Sequence, residues 1–329
     1  MPFVSGASND RAWHTSLIVG PPRHVLMGWI QLGVHDNGMS EGEWPVRPAL
    51  PAREESLGTR DGAAGSMVAL PRAHHEVTPS GRRNRVSVVI PAFNEADNLR
   101  WLLPQLASAD EVIVVDGESM DGTDEVVREL CPHATLIRQR PRGKGAALRA
   151  GFATATGDII VMLDADGSMD PLEIDTLVVL IARGFDVVKG SRNSCGGGSQ
   201  DLTFIRRLGN RLFVSLANAL YGTAWSDLCY GYIALRRSAL DRLHLHSDGF
   251  EIETEICVHA VTAHLTVAEV PSYELSRRSG VSNLHPLRDG WRVLKVLLRN
   301  RLRRRKEFAR WLVASELPAE HAMLKPAGR

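Results

Sequence analysis

The chain has 329 residues, of which 44% are hydrophobic and 23% charged, with a formal net charge of +1. This composition is that of a globular protein with ample material for a core, in one large domain or two. The four cysteines are widely spaced without a C-x-x-C pair, which argues against a zinc site or a disulfide framework and favours a reducing cytoplasm. We expect neither a membrane span nor a secretory signal, because no run of 18 apolar residues and no signal-like amino terminus is present.

Residues 1–84 contain many Gly, Pro, Ser and Arg residues and show no sustained periodicity. Such a segment offers no continuous apolar face around which a core could form. We therefore expect residues 1–84 to be a mostly disordered extension in front of a domain that begins at residue 85.

From residue 85 onward, apolar runs alternate with helical patterns. Strands are predicted at 86–90, 111–116 and 134–138, in a run that ends at Asp164, and at 185–189; helices are predicted at 94–106, 122–130, 143–156 and 171–182. This alternation predicts an α/β domain with a mostly parallel central sheet and helices on both faces.

The pattern after residue 190 is less regular. A glycine-rich loop at 194–199 precedes a predicted helix at 205–221, a strand at 231–235, a helix at 251–264 and a strand at 266–270. These elements complete a predicted domain that spans residues 85–285.

A basic amphipathic helix is predicted to begin near Pro286, within a C-terminal segment of residues 286–329. Its apolar stripe is Leu287, Trp291, Leu294, Leu298 and Leu302, and from residue 285 to the end there are twelve Lys or Arg and four Asp or Glu. Two interpretations stand side by side. In the first, the helix lies peripherally on an anionic membrane surface. In the second, the stripe packs on the domain and leaves a solvated basic face. Nucleic acid is not an expected partner, because no aromatic-interleaved binding module accompanies the basic residues.

The predicted strand that ends at Asp164 stops at two carboxylates, in the sequence Asp164-Ala165-Asp166. Side chains at i and i+2 of an extended segment point the same way, so both carboxylates can lie at the strand's carboxyl end, where open α/β sheets bind ligands. Two hard oxygen donors suit Mg²⁺ or Mn²⁺. His285 is a candidate third ligand, although a lone histidine can equally serve the structure. Taken alone, the motif also fits an Asp-rich turn.

Four motifs follow predicted strands in a fixed order. They are Ile90-Pro91-Ala92-Phe93-Asn94-Glu95, the stretch from Val114 to Thr123, Asp164-Ala165-Asp166, and the stretch from Arg277 to Ser282. In this order they resemble the family 2 glycosyltransferases of GT-A fold, nearest to the dolichyl-phosphate mannose or glucose synthase-like group, over residues 86–302. The resemblance implies a Rossmann-like GT-A domain and metal-dependent, inverting transfer from a nucleotide-diphosphate sugar (a UDP-sugar or GDP-mannose) to a polyprenyl phosphate or a small-molecule acceptor. No oligomeric state is predicted.

The donor side of the predicted site begins at the first two strands. Carboxylates at strand ends can accept hydrogen bonds from a base or a ribose, which makes Glu95 and Asp116 candidates. The resemblance carries the base contact onto Asp116, while Gly117 stands where the family has a second acidic residue. Lys144, between two glycines at a predicted helix start, either contacts phosphate or is a solvated loop residue. Pro91 and Asn94, from the first motif, complete the donor contacts that the resemblance implies.

The acceptor side rests mainly on the resemblance. Arg192, in Gly190-Ser191-Arg192, and Arg277 with Ser282, in an R-x-x-G-x-S pattern, are assigned to nucleotide-sugar binding. A guanidinium can clamp two phosphate oxygens at once, so Arg277 could bind a phosphate of the donor or of the acceptor; a surface arginine is the plainer interpretation. Asp227 is a candidate general base or acceptor-orienting group, with Glu253 as its rival; a loop Asp bonded to its own backbone and a helix-capping Glu are the plainer interpretations.

Two other classes remain as alternatives. Asp164-Ala165-Asp166-Gly167-Ser168 also resembles the D-x-D-x-[TS] loop of haloacid-dehalogenase-like phosphatases, in which the first Asp is a nucleophile. That loop normally closes the first strand of its domain, whereas here other strands with acidic ends come first. A catalytically inactive nucleotide-sugar-binding protein is the second alternative, kept open by Gly117 and by Asn283, which replaces a lysine of the family pattern.

Overall fold

The computed structural model describes residues 83–140 and 143–315, with side chains as far as residue 302. The strands are β1 Val86–Ala92, β2 Glu111–Asp116, β3 Thr135–Arg138, β4 Ile159–Met162, β5 Val187–Ser191, β6 Gly198–Ser199, β7 Ile233–Arg236, β8 Val267–Pro271 and β9 Tyr273–Glu274. The helices are α1 Ala96–Leu102, α2 Thr123–Leu130, α3 Lys144–Thr154, α4 Ile174–Ala182, α5 Phe204–Tyr221, α6 Arg237–Leu240, α7 Ile252–Thr262 and α8 Pro286–Ser315. Residues 1–82, for which disorder was predicted, and the tail after 315 lie outside the described residues.

Seven strands form one sheet in the order β3-β2-β1-β4-β7-β5-β8. β7 runs antiparallel to both of its neighbours, and the other pairings are parallel. The predicted mostly parallel sheet is therefore confirmed. The reversed direction of β7 was not predicted. β6 and β9 pair separately as a short parallel ribbon.

Helices cover both faces of the sheet, because alternate residues of each buried strand point to opposite faces. On one face, Val88 and Ile90 of β1 pack with α1, α2 and α4. On the other face, Val89 packs with α3 and α7 through residues such as Leu148 and Ile256. The resulting three-layer arrangement leaves the carboxyl ends of β1, β2, β4 and β5 as one edge at which loops meet.

The C-terminal helix α8 packs on α5 and α7. Its buried hydrophobic residues are Val293, Val296 and Leu297. Four of the five residues of the predicted apolar stripe lie on a different face: Leu287, Trp291, Leu298 and Leu302 are 91%, 57%, 43% and 57% exposed, while Leu294 is half-buried. The interpretation that this stripe packs on the domain is therefore wrong. Within the described residues, no helix combines the length and the apolar character that crossing a bilayer requires.

Candidate active site

A cavity of about 800 Å³ lies at the carboxyl edge of the sheet. The sheet register brings the strand ends together there, since Ala92 is opposite Asp116 and Val89 is opposite Met162. Ten of the predicted site residues line the cavity: Pro91, Glu95, Lys144, Asp164, Asp166, Arg192, Glu253, Arg277, Ser282 and His285. The fold thus gathers these residues around one cavity, although they are spread over almost 200 positions of the chain.

Lys144 bridges two acidic side chains from different elements. Its Nζ lies 2.7 Å and 2.8 Å from the two carboxylate oxygens of Asp164 and 2.6 Å from Glu253 Oε1. Burial alone would lower the pKa of Lys144, but the two carboxylates outweigh it and raise the pKa above its ordinary value. The side chain is therefore an ammonium at neutral pH, held between β4 and α7.

Asp164 and Asp166 lie side by side after β4, as the spacing predicts. Burial raises the pKa of Asp164 to about 6; Lys144 opposes the rise, while Asp166 and Glu253 add like-charge repulsion. Asp166 accepts a hydrogen bond from Ser168 N at 3.0 Å. Two adjacent carboxylates that repel each other fit a divalent cation, which would relieve that repulsion.

The predicted third ligand, His285, is exposed and is not brought into a cluster with the two carboxylates. Among the described residues, no three His, Cys, Asp or Glu side chains form a group that could hold a metal ion by themselves. The protein would therefore offer two carboxylates, and Mg²⁺ or Mn²⁺ would fill its other positions with water and phosphate oxygens, as Mg²⁺ usually does.

Arg277 connects the first and third motifs. Its Nη1 lies 2.8 Å and 3.0 Å from the carboxylate oxygens of Glu95, and its Nη2 lies 3.2 Å from Asp166 Oδ2. Burial raises the pKa of Glu95, with Arg277 and Asn98 acting in the opposite direction. Glu95 therefore anchors a guanidinium at the metal-candidate carboxylates.

The glycines around Lys144 serve the packing of two loops. A Cβ on Gly145 would collide with the carbonyl oxygen of Ser247, and one on Gly143, whose φ is +117°, with that of Asp248. The Gly-Lys-Gly sequence thus lets the start of α3 approach residues 247–249. A Cβ on Gly231 would lie 2.7 Å from both Lys144 Nζ and a Glu253 oxygen, so that position too must stay small.

Asn94 and Asp116, both predicted donor contacts, do not line the cavity. Asn94 has a φ of +55°; it donates its backbone N–H to Ser119 Oγ at 2.8 Å, and its Oδ1 accepts from Met120 N at 2.9 Å. Asp116 is fully buried and accepts from Ser119 N at 3.2 Å. In this structure Asn94 ties the loop after β1 to the loop after β2, whereas Asp116 orders the loop after β2 itself. Their contact with a nucleotide stays a prediction.

Asp227, the first candidate base, is fully buried and also lies outside the cavity lining. Its carboxylate accepts from Arg192 Nε at 2.8 Å and Nη2 at 3.1 Å, and Arg192 Nη1 reaches Glu274 at 3.2 Å. Burial opposes ionisation, yet Arg192 and Lys189 hold the pKa of Asp227 below its ordinary value. Such a group is a weak proton acceptor, so its catalytic role stays a prediction that this geometry does not favour.

Helix α5 supplies two polar residues that the sequence analysis did not single out. Asn210 is 3% exposed and lines the cavity; its Oδ1 accepts from Leu228 N and Cys229 N at 3.2 Å. Its Nδ2 has no hydrogen-bond partner among the described residues. Arg206, one turn earlier, donates to Ser282 Oγ at 2.8 Å. The sequence pattern that could have indicated Arg206 and Asn210 is their i, i+4 spacing on one helix face.

The same cavity continues into an apolar half between α5 and α8. Five of its lining residues there are Ile205, Leu208, Leu212, Leu287 and Val293. The other half lies at the strand ends. A single cavity therefore presents carboxylates and cations at one end and, at the other, aliphatic side chains interspersed with Arg206, Arg288 and Arg292. This arrangement suits one polar ligand and one ligand with a hydrophobic portion.

Comparison with known proteins places the chain among sugar transferases. The family model described as glycosyl transferase family 2 matches residues 87–243. The chain is 32% identical over 210 residues to the dolichol-phosphate mannosyltransferase of Pyrococcus furiosus, a match that covers 61% of this chain and 59% of that relative. It is 30% identical over 214 residues to the polyprenol monophosphomannose synthase of Mycolicibacterium smegmatis, covering 61% and 81% respectively. The chain thus spans about three fifths of the length of the Pyrococcus relative.

The fold has a counterpart among solved structures. Glucosyl-3-phosphoglycerate synthase from Mycobacterium tuberculosis, solved with Mn²⁺, uridine diphosphate and glucosyl-3-phosphoglycerate, matches with a TM-score of 0.53 and 23% identity, over 66% of this chain and 80% of that one. At this identity the likeness shows the fold alone, which is that of GT-A glycosyltransferases.

Proposed function

The chain belongs to glycosyl transferase family 2, and on that premise we propose that it transfers a sugar from a nucleotide diphosphate sugar to a polyprenyl phosphate. The observation that carries the proposal is the two-ended cavity. Asp164, Asp166, Lys144 and Arg277 gather at its charged end, and the aliphatic side chains of α5 and α8 form the other. The names of the Pyrococcus and Mycolicibacterium relatives support a lipid-linked acceptor.

The charged end is the proposed donor site. Asp164 and Asp166 would hold Mg²⁺ or Mn²⁺, which when bound neutralises charge on the departing diphosphate. Lys144 supplies an ammonium and Arg277 a planar guanidinium, and both groups match phosphate oxygens. Glu253 and Glu95 hold these cations at distances of 2.6 Å and 2.8 Å, which keeps them oriented before a ligand arrives.

Asn210 and Arg206 are the proposed contacts for the acceptor phosphate. The unpartnered Nδ2 of Asn210 is a buried donor that a phosphate oxygen would satisfy. Arg206 adds a positive charge one helical turn away, and the apolar half would receive the first part of the lipid chain. Because a lipid phosphate is already anionic, its attack on the anomeric carbon from the opposite face needs no strong base, and inversion follows.

A small-molecule hydroxyl acceptor is the second candidate. Such an acceptor must lose a proton, and Glu253 is the better placed of the two predicted bases because it lines the cavity whereas Asp227 does not. Its Oε1 would have to exchange Lys144 for the hydroxyl. The apolar half of the cavity favours the lipid acceptor over this one.

The exposed faces of α5 and α8 are proposed to rest on an anionic membrane surface. Phe204 and Leu212 on α5 and Leu287 and Trp291 on α8 are all more than half exposed, and the two helices contact each other. Eight Lys or Arg side chains are interspersed on the described parts of these helices: Arg206, Arg207, Arg211, Arg288, Arg292, Lys295, Arg299 and Arg301. An apolar face flanked by basic residues matches the charge and polarity of an anionic bilayer. The expected location is thus peripheral, on the cytoplasmic side of a membrane.

A transfer assay tests the proposal. The purified chain is incubated with labelled UDP-glucose or GDP-mannose, a short polyprenyl phosphate and Mn²⁺, and label is measured in the lipid extract. We expect lipid-linked sugar with at least one donor and its loss in Asp166→Ala. Unimpaired turnover in that variant would show that the metal site takes no part in the mechanism. If no donor gives product while the protein still binds nucleotide, the chain is an inactive nucleotide-sugar-binding protein.

The phosphatase alternative is not favoured by the fold. Asp164 follows β4 rather than the first strand, and Lys144 occupies both of its oxygens. Hydrolysis of p-nitrophenyl phosphate by the wild type that disappears in Asp164→Asn would reverse this conclusion.

A further inference from the structure

Each carboxylate after β4 is already paired with a cation of the chain itself. Lys144 Nζ contacts both oxygens of Asp164, at 2.7 Å and 2.8 Å. Arg277 Nη2 lies 3.2 Å from Asp166 Oδ2, and Asp166 Oδ1 accepts from Ser168 N at 3.0 Å. All four oxygens of the two carboxylates therefore have a donor within the chain.

Both cations have a second anchor outside the carboxylate pair. Glu253, on α7, holds Lys144 at 2.6 Å, and Glu95, between β1 and α1, holds Arg277 at 2.8 Å. Neither cation depends on Asp164 or Asp166 alone for its place. A metal that took over those carboxylates would leave the ammonium and the guanidinium beside it in the cavity.

We propose that Lys144 and Arg277 are exchangeable counter-cations, which neutralise Asp164 and Asp166 until a divalent metal arrives together with the diphosphate of the donor. The two side chains then turn from the carboxylates to the phosphate oxygens. This inference rests on the proposed function, because the exchange requires a diphosphate ligand.

The electrostatics explain why the metal and the diphosphate should come together. A dication alone would meet two positive side chains at close range in a partly buried site, where like charges are screened less than in bulk water. The diphosphate supplies the anion that both side chains need once their carboxylates are taken. Metal and nucleotide should therefore each raise the other's affinity, by the same factor.

The decisive measurement is Mn²⁺ binding to the full chain, followed by the loss of the free-ion signal in electron paramagnetic resonance. Wild type is titrated with Mn²⁺ alone and with saturating UDP or GDP. We expect at least about fivefold tighter binding with one of the nucleotides, the lower end of usual coupling between linked sites. Equal affinity with and without both nucleotides would overturn the proposal.

The variant Arg277→Gln removes one counter-cation. It should bind Mn²⁺ alone at least about fivefold more tightly than wild type while binding UDP and GDP without metal more weakly. A variant that merely damaged the site would weaken both, so the opposite signs separate the exchange from a structural role. Arg277→Gln that binds Mn²⁺ alone no more tightly than wild type contradicts the exchange.

Arg278→Gln is the matched control. Arg278 is the next residue, carries the same charge and lies over the Trp101 ring at 4.2 Å rather than against the carboxylates. Its side chain is exposed, and exposed charges are screened by salt, so its loss should leave the affinity for Mn²⁺ alone within about twofold. Tightening equal to that of Arg277→Gln would show that general charge is responsible.

A second variant, at Lys144, repeats the Mn²⁺-binding test so that the conclusion does not depend on Arg277→Gln alone. Lys144→Met should likewise bind Mn²⁺ alone more tightly, and thermal melting checks that each variant is folded.

Failure of the proposed function looks different from failure of this inference. The former gives no sugar transfer whatever the metal affinity, whereas the latter leaves transfer intact and abolishes the coupling between Mn²⁺ and nucleotide.

Discussion

Replacing Asp227 with Asn asks whether this carboxylate stabilises the fold or performs chemistry. Asp227 accepts four hydrogen bonds, from Arg192 Nε at 2.8 Å, Arg192 Nη2 at 3.1 Å, Arg192 N at 3.2 Å and Cys229 N at 3.2 Å. An asparagine keeps one acceptor oxygen and directs an NH₂ group at donors. About half of the hydrogen bonds are lost, and the charge of Arg192 loses its main partner.

The expected cost follows from the burial of the pair. Removing one member of a buried ion pair costs about 3–5 kcal/mol. Because Arg192 retains Glu274 at 3.2 Å, we expect the lower end, about 3 kcal/mol. For the roughly 230 described residues, each kcal/mol lowers Tm by about 2–4 °C, which gives a fall of about 6–12 °C.

Thermal melting and a transfer assay below the variant's Tm together test this reasoning. Glu129→Gln is the control, because its ion pair with Arg100, at 3.3 Å, is exposed and should be worth at most about 1 kcal/mol. Turnover per folded molecule should stay within a few-fold of wild type in Asp227→Asn. An unchanged Tm combined with a loss of turnover of 100-fold or more, the usual size of a general-base contribution, would refute the structural assignment.

Three further variants test other parts of the molecule. Asn210→Asp keeps the acceptor for Leu228 N and Cys229 N but replaces the unpartnered donor with a carboxylate oxygen, so KM for the lipid phosphate should rise at least about tenfold with little change in KM for the donor; an unchanged lipid KM would remove Asn210 from the acceptor site. Trp291→Glu should reduce co-sedimentation with anionic vesicles, because a charge replaces an exposed aromatic on α8, and undiminished sedimentation would contradict the membrane proposal. Burial raises the pKa of Glu269 to about 7, so its contribution to stability is fully present below pH 4.5 and is lost as pH rises through 7. Glu269→Gln should flatten this dependence by up to about 1.4 kcal/mol per pH unit between pH 5 and 7, measured by denaturant unfolding, and equal slopes in both proteins would speak against it.

The first half of the sheet and the carboxylates after β4 could be predicted because local signals coincide there. β1 and β4 are short apolar runs that end in polar residues, and the spacing of Asp164 and Asp166 places both on one side. The direction of β7 could not be predicted, since a period of two residues is the same for parallel and antiparallel strands.

The packing face of α8 shows a different limit of sequence patterns. Leu287, Trp291 and Leu298 recur at helical spacing, but so do Val293 and Leu297, and the helix is apolar on two sides. Which side is buried depends on α5 and α7, which are distant in sequence. A prediction from periodicity alone therefore took the exposed face of α8 for its packing face.

The pairing of charges in the site could not be predicted from the sequence for a related reason. Arg277 and Glu95 are 182 positions apart, and Lys144 and Glu253 are 109 apart. Each could be assigned to a ligand from its motif, but the sequence contains no signal that the four residues neutralise one another. Asn210 was missed because a single polar residue in an amphipathic helix resembles an ordinary surface position.

The reversal of β7 has a practical consequence for engineering acceptor preference. Because β7 runs opposite to β4 and β5, the chain arrives at the site edge just before it, along residues 222–232, with Tyr230 and Gly231 in the cavity wall. This stretch begins at Gly222, the left-handed end of α5, and stops just before Ile233, the first residue of β7. These two positions are natural junctions for exchanging the segment between relatives, since a graft there replaces one wall of the cavity and leaves the strands on either side unchanged.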